Sequence, residues 1–182
     1  KKSGQLELMD ILGYETLVWF TGDDYQSTLT DKDCEILAEY LKSGGRLLLS
    51  GQDVGYDLKN AAFYRDYLKA KFVKDDAGVR KITGQGLSFG INQKYPDNVE
   101  ALAGATVFFE YEGAGAAGLL VGDLPGKVLY CSFGIEAITS DDKRLAVMEK
   151  GLAAVEPTAL DSVARLSLLE DEACRIRWAE VC

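Results

Sequence analysis

Ile36-Leu37-Ala38-Glu39-Tyr40-Leu41-Lys42-Ser43-Gly44-Gly45-Arg46-Leu47-Leu48-Leu49-Ser50-Gly51-Gln52-Asp53-Val54-Gly55 is the stretch on which the fold turns. Ile36, Leu37, Tyr40 and Leu41 recur at helical spacing, and the glycine pair stops the helix in the usual C-terminal manner. Leu47 to Leu49 form an unbroken apolar run, as expected of a strand buried on both faces. Residues 50–55 then make a sharp polar turn. Upstream, Thr30 is placed to cap the helix, with Asp31 and Asp33 in its first turn. Before that, Thr16-Leu17-Val18-Trp19-Phe20 reads as a second doubly buried strand. Strand, helix, strand at this spacing predicts a βαβ unit in a parallel sheet.

Working outward, Leu6, Met9, Ile11 and Leu12 suit a short helix or turn ended by Gly13. A helix is expected over 60–69, with Phe63, Tyr64, Tyr67 and Leu68 inside. From 71 to 90 the texture becomes short β-like pieces and glycines. Residues 106–112, 118–122 and 127–133 read as three strands joined by Gly-rich turns, hence as antiparallel neighbours. A final helix over 141–155 should bury Leu145, Val147, Met148 and Leu152. Pro157 ends the main domain, so two parts are expected: an α/β domain over 1–156 and a β-hairpin over 157–182. In the hairpin, Cys174, Ile176 and Trp178 alternate with Arg175 and Arg177 at strand period.

The chain has 182 residues, 47% of them apolar, enough for one domain with a real core. Its net charge of −9 argues against nucleic acid and anionic membranes as partners, because both need clustered cations. No apolar run approaches the ~20 residues of a membrane span. Lys1-Lys2-Ser3-Gly4 reads as an interior cut, so the sequence is expected to be a fragment. Cys34, Cys131, Cys174 and Cys182 form no C-x-x-C pair, which disfavours a zinc knuckle. Cys34 and Cys131 read as small buried hydrophobes. A Cys174–Cys182 disulfide is allowed by the sequence but not predicted.

Two segments carry a family likeness. Residues 33–57 resemble the helix, glycine pair, strand and nucleophile elbow of class I glutamine amidotransferase-like domains. Lys127 through Glu136 resembles the late strand that delivers the His and Glu of their triad, read there as Phe-His-Pro-Glu and here as Phe133-Gly134-Ile135-Glu136. Trp19 to Tyr25, Ser50 to Asp57 and Ser132 to Ile138 are similar to such domains in large bacterial secreted or surface proteins. The likeness covers roughly residues 5 to 155. It implies a flavodoxin-like three-layer α/β sandwich, mostly parallel with an antiparallel edge, and an extracellular or cell-surface location. It matches Glu136 to the family's glutamate, puts Gly134 in place of the histidine, and puts Gln52 or a neighbour in place of the cysteine. It also implies a missing first β-α unit. That strand is central in flavodoxin order, so its absence would leave backbone groups unpaired. The terminal hairpin or a second molecule is expected to fill the gap, and a homodimer is one form this would take.

The chemistry is mostly a matter of absences. The chain contains no histidine, so no Cys-His-Glu or Ser-His-Asp triad can be built from it. Gly86-Leu87-Ser88-Phe89-Gly90 matches G-x-S-x-G but lacks the helix that should follow. Gly113-Ala114-Gly115-Ala116-Ala117-Gly118 matches G-x-G-x-x-G but runs into a strand rather than a helix. Both are expected to be turns. Ligands of open α/β sheets bind at the strand carboxyl ends, so Asp23, Asp24, Tyr25, Gln52, Asp53, Tyr56, Asp57 and Glu136 are the candidate ligand-binding residues. A calcium site, a polar or saccharide ligand and a carboxylate acid–base pair are all open uses, alongside simple capping of helices and turns. No catalytic residue, cofactor or metal is assigned.

The sequence and the resemblance therefore predict a non-catalytic binding or structural module of a larger bacterial extracellular protein, whose partners are its neighbouring domains and a polar small molecule or saccharide. The competing reading is a hydrolase using Asp53 and Glu136, which would need the two carboxyls about 5 to 10 Å apart across an open cleft.

Overall fold

The computed structural model describes residues 6–156. The expected hairpin over 157–182, the Cys174–Cys182 question and the first five residues lie outside the described residues. In chain order the elements are α1 (Leu8–Ile11), β1 (Thr16–Phe20), α2 (Asp31–Lys42), β2 (Arg46–Ser50), α3 (Val54–Leu58), α4 (Ala62–Asp66), β3 (Ala70–Lys74), β4 (Lys81–Gly84), β5 (Leu87–Gly90), β6 (Asn98–Ala101), β7 (Ala105–Tyr111), β8 (Gly115–Val121), β9 (Val128–Cys131), a 3-10 turn (Ile135–Ala137) and α5 (Asp141–Val155).

The deciding stretch folds as its residues dictate. Thr30 accepts a hydrogen bond from Asp33 N and Asp33 reaches back to Thr30 N, closing a capping box at the start of α2. Ile36, Leu37, Tyr40 and Leu41 are buried. Gly44 ends the helix at φ +82°, a conformation glycine adopts without strain. Gly45 is required for another reason: a Cβ there would fall 2.3 Å from the Tyr40 ring. β1 and β2 pair in parallel, Thr16 opposite Arg46 through Phe20 opposite Ser50. The βαβ unit is thus present.

The sheet around it departs from expectation. Nine strands form one mixed sheet in the order β1-β2-β9-β8-β7-β4-β5, with β6 joining β8 and β3 joining β6. Among the described residues, parallel pairing is confined to β1-β2 and β2-β9, and every other ladder is antiparallel. This corrects the flavodoxin-like, mostly parallel sandwich and the amidotransferase-like label that went with it. The physical reason lies in residues 70–121, where strands of four to seven residues are joined by turns too short for helical crossovers. Gln85 and Gly86, both at positive φ, make the tight β4–β5 turn, and Gly113 at φ +74° stands in the β7–β8 turn. The G-x-S-x-G and G-x-G-x-x-G matches are therefore hairpins. There is also no empty central slot: β2 pairs directly with β9, Leu47 opposite Val128 through Ser50 opposite Cys131.

Two apolar layers flank the sheet. On one side α2, α3 and α4 cover Leu47, Leu49, Val128 and Tyr130, with Phe63, Tyr64 and Leu68 buried. On the other, α5 covers Leu48, Leu129 and Cys131, continuous with an aromatic cluster of Phe89, Phe108, Phe109 and Phe133. The helix expected over 60–69 is only the short α4, and a separate short helix, α3, precedes that span. α5 has the expected span but buries Val147, Gly151 and Val155, leaving Leu145 61% and Leu152 37% exposed. Among the described residues β1 is an edge strand, and its Val18 and Phe20 are exposed on the α5 side. Its apolar run signalled two buried faces; only Leu17 and Trp19 pack on the core, and partly. Cys131 is buried and Cys34 half-buried, both as free thiols. No helix among the described residues is long and apolar enough to cross a membrane.

Candidate functional site

The carboxyl ends of β1, β2 and β9 lie side by side, since these strands are parallel neighbours. The loops leaving them carry the residues singled out from the sequence, but the structure sorts those residues into separate places. Asp23 and Glu136 are exposed and share a crevice with Asn92, Gln93, Thr139 and Arg144. Asp24 and Tyr25 are exposed on the β1 exit loop. Asp57 accepts hydrogen bonds from Thr28 N and Thr28 Oγ1, both 2.8 Å, and so ties that loop to α3. Tyr56 packs edge-on to Phe72 at 6.3 Å, with Lys59 Nζ 4.2 Å from its ring centroid. Gln52 and Asp53 are buried at the start of α3.

Asp53 is not among the residues lining that crevice; it gathers with Asp75 and Asp97, one carboxylate oxygen from each lying within 4.8 Å of the others. The topology explains the gathering. β3 and β6 are antiparallel, with Lys74 opposite Asn98, so Asp75 and Asp97 flank the end of that ladder. Asp97 N donates to Gln52 O at 2.9 Å, which brings the β2 exit against them. Gly55 lets the backbone close in, because a Cβ there would fall 2.9 Å from Asp97 Oδ2 and 2.7 Å from the Tyr64 hydroxyl. Asp97 Oδ2 accepts from Tyr56 N at 2.9 Å.

Burial dominates the electrostatics of this cluster. Desolvation pushes the Asp97 carboxyl up to about 8, opposed by backbone donors at Tyr56 and Gly55 and reinforced by the negative charges of Asp53 and Asp75. Asp53 is pushed up to about 6, again mainly by burial; the Gln52 amide lowers it and Asp75, Asp23 and Asp57 raise it. Asp76, next in sequence to Asp75, plays a different part: Arg80 pairs with it at 2.8 Å and holds its carboxyl below the usual range.

Asp75 and Asp97 were not singled out from the sequence. Neither follows a parallel strand, and only the β3–β6 pairing brings them to the β2 exit. The Asp75-Asp76 pair at a strand end, and an aspartate directly after Pro96, were the available signals.

Two serine hydroxyls at these strand ends are committed to structure, whereas Thr21 Oγ1, just past β1, is buried with no partner among the described residues. Ser50 Oγ donates to Phe133 O at 2.8 Å and accepts from Ile135 N at 2.9 Å. Ser132 Oγ donates to Asp97 O at 2.8 Å. Cys131 is fully buried, and desolvation pushes its thiol well above the ordinary value. The Gln93 and Glu136 side chains close over Gly134, so any side chain there would displace both. Ser88 is exposed on β5, with no histidine in the chain to activate it.

No family model matches the sequence, and no curated protein matches it. Solved structures do match. The GH42 β-galactosidase Gan42B of G. stearothermophilus shares 15% identity over 79% of this chain and 22% of its own, with a TM-score of 0.60. A β-galactosidase of Bacillus circulans sp. alkalophilus shares 16% identity over 79% of this chain and 23% of its own, with a TM-score of 0.55. The mmIFT52 N-terminal domain shares 11% identity over 85% of this chain and 83% of its own, with a TM-score of 0.60. At these identities the likeness is one of fold. The chain spans under a quarter of the length of those β-galactosidases.

Proposed function

We propose that this chain is a non-catalytic binding and structural module of a larger protein. The observation that carries the reading is the state of the strand ends. Ser50, Ser132 and Cys131, at the β2 and β9 ends, are fully buried, the two serines are spent on structural hydrogen bonds, and Thr21 at the β1 end is buried as well. A nucleophile needs access and an adjacent base, and this chain has no histidine. The carboxylate pair of the competing hydrolase reading gains no support, because Asp53 sits with Asp75 and Asp97 while Glu136 lines a crevice that Asp53 does not.

The surface offers a place for a neighbour. The outer edge of β1 has no strand partner among the described residues. Val18 and Phe20 on β1 are exposed, as are Leu145 and Leu152 on α5, and Phe20 shares a hollow with Met148 of α5. Apolar side chains grouped along an open strand edge mark a docking surface. The occupant we infer is an adjoining domain of the same longer polypeptide, in keeping with a likeness that spans only 22% of the larger β-galactosidase Gan42B.

Two measurements test the reading. The purified chain, offered p-nitrophenyl acetate, p-nitrophenyl glycosides and L-glutamine, should give no turnover above buffer. Turnover abolished by Asp53→Asn or Glu136→Gln would refute the non-catalytic role. Hydrogen exchange of β1 should be slower in a longer product of the gene than in this chain alone; equal exchange would remove the docking surface.

A further inference from the structure

We infer that Asp53, Asp75 and Asp97 form a binding site for one hard divalent cation. Oxygens that share one such ion at 2.0–2.6 Å lie within roughly 5 Å of each other, and one oxygen from each of these residues meets that spacing. All three are carboxylates, with no nitrogen or sulfur ligand among them, which selects calcium, magnesium or manganese over zinc or copper. Asp53 and Asp97 are buried, whereas Asp75 is exposed and opens the site to solvent.

A cluster of acids alone would not identify a site; the orphaned oxygens do. Asp97 is fully buried, and its Oδ1 has no hydrogen-bond partner among the described residues. Buried polar atoms are ordinarily paired, and leaving one unmet costs ~1–3 kcal/mol. Gln52, 7% exposed, sets its amide against Asp53, and its Oε1 is likewise unmet. A carboxylate oxygen and an amide oxygen, both buried beside the cluster and both without a donor, are suitable ligands for a hard cation. Among the described residues, the charges acting most strongly on Asp53 and Asp97 are those of other aspartates. The geometry also has a backbone foundation: the β3–β6 ladder, the Asp97 N to Gln52 O bond and the bare Gly55 hold the three loops together whether or not an ion is bound.

This inference does not rest on the non-catalytic reading, since its test measures ion binding rather than turnover. The EDTA-treated chain is titrated calorimetrically with CaCl2, MgCl2 and MnCl2, and thermal unfolding is followed with each ion. The expected result is one ion per chain for at least one of the three, with a raised Tm. Asp75→Asn, at an exposed position, should weaken binding at least tenfold, while Glu39→Gln, exposed near the end of α2 that leads into the opposite end of β2, should leave it unchanged. Absence of binding with all three ions, or unaltered affinity in Asp75→Asn, would overturn the site.

Discussion

The parallel and antiparallel parts of this sheet are built from different sequence textures and answer to different constraints. β2 and β9 are buried at every position, lie between two apolar layers, and read as unbroken apolar runs. β3, β4 and β5 are four or five residues long, each burying one residue fully. Yet both parts share one core. Leu48 and Leu129 from the parallel strands belong to the same cluster as Phe89, Phe108 and Phe109 from the antiparallel ones. The acidic cluster sits where the two meet, with Asp53 from the parallel part and Asp75 and Asp97 from the antiparallel part.

A large truncation on either side is the strongest way to break this comparison. Phe109→Ala should cost about 3–5 kcal/mol and Leu48→Ala about 2–5 kcal/mol. Both should shift a single denaturation transition followed by tryptophan fluorescence and by circular dichroism. Two separate transitions would mean that the parts fold as independent units.

The junction gives the next effect. Asp97 faces Asp53 and Asp75, with the Tyr64 and Tyr130 hydroxyls also coupled to its charge. Its folded pKa of about 8 and that of Asp53, about 6, both lie above the unfolded carboxyl value near 4. Between about pH 4 and pH 8 the folded chain therefore holds more protons than the unfolded one, so metal-free stability must fall as pH rises through that window. The loss should be on the order of a few kcal/mol. Urea midpoints measured in EDTA should decline from pH 5 to pH 8.5, and Asp97→Asn should flatten the decline. A midpoint that rises with pH would contradict the environment described for Asp97.

Much of the parallel part was legible in advance, and the reasons are local. The Thr30 cap, the Gly44-Gly45 stop and the apolar Leu47 to Leu49 run each act within a few residues, so sequence spacing exposes them. Strand order is not local. The Thr16 to Phe20 run reads as a central strand, but nothing in it reveals that one neighbour is absent and that Val18 and Phe20 face outward. The resemblance that supplied a flavodoxin-like order was overruled by the short turns of residues 70–121. The candidate site was half legible for the same reason. Gln52 and Asp53 follow from their position at a strand end, whereas Asp75 and Asp97 join them only through the β3–β6 ladder.

Two smaller effects sharpen the contrast between local and tertiary control. Thr30→Ala removes one half of the capping box and should cost about 1 kcal/mol in chemical denaturation. Phe20→Lys, on the exposed face of β1, should change the stability of this chain by no more than about 0.5 kcal/mol. A much larger loss would show that Phe20 is already covered in solution.

The central claim is that the seam between the parallel and antiparallel strands holds a cation. The most direct measurement is a crystal of this chain soaked in MnCl2 and recorded at the manganese absorption edge. The account predicts one anomalous peak between Asp53, Asp75 and Asp97, about 2.0–2.6 Å from an oxygen of each. Three well-ordered carboxylates with no peak between them would contradict it.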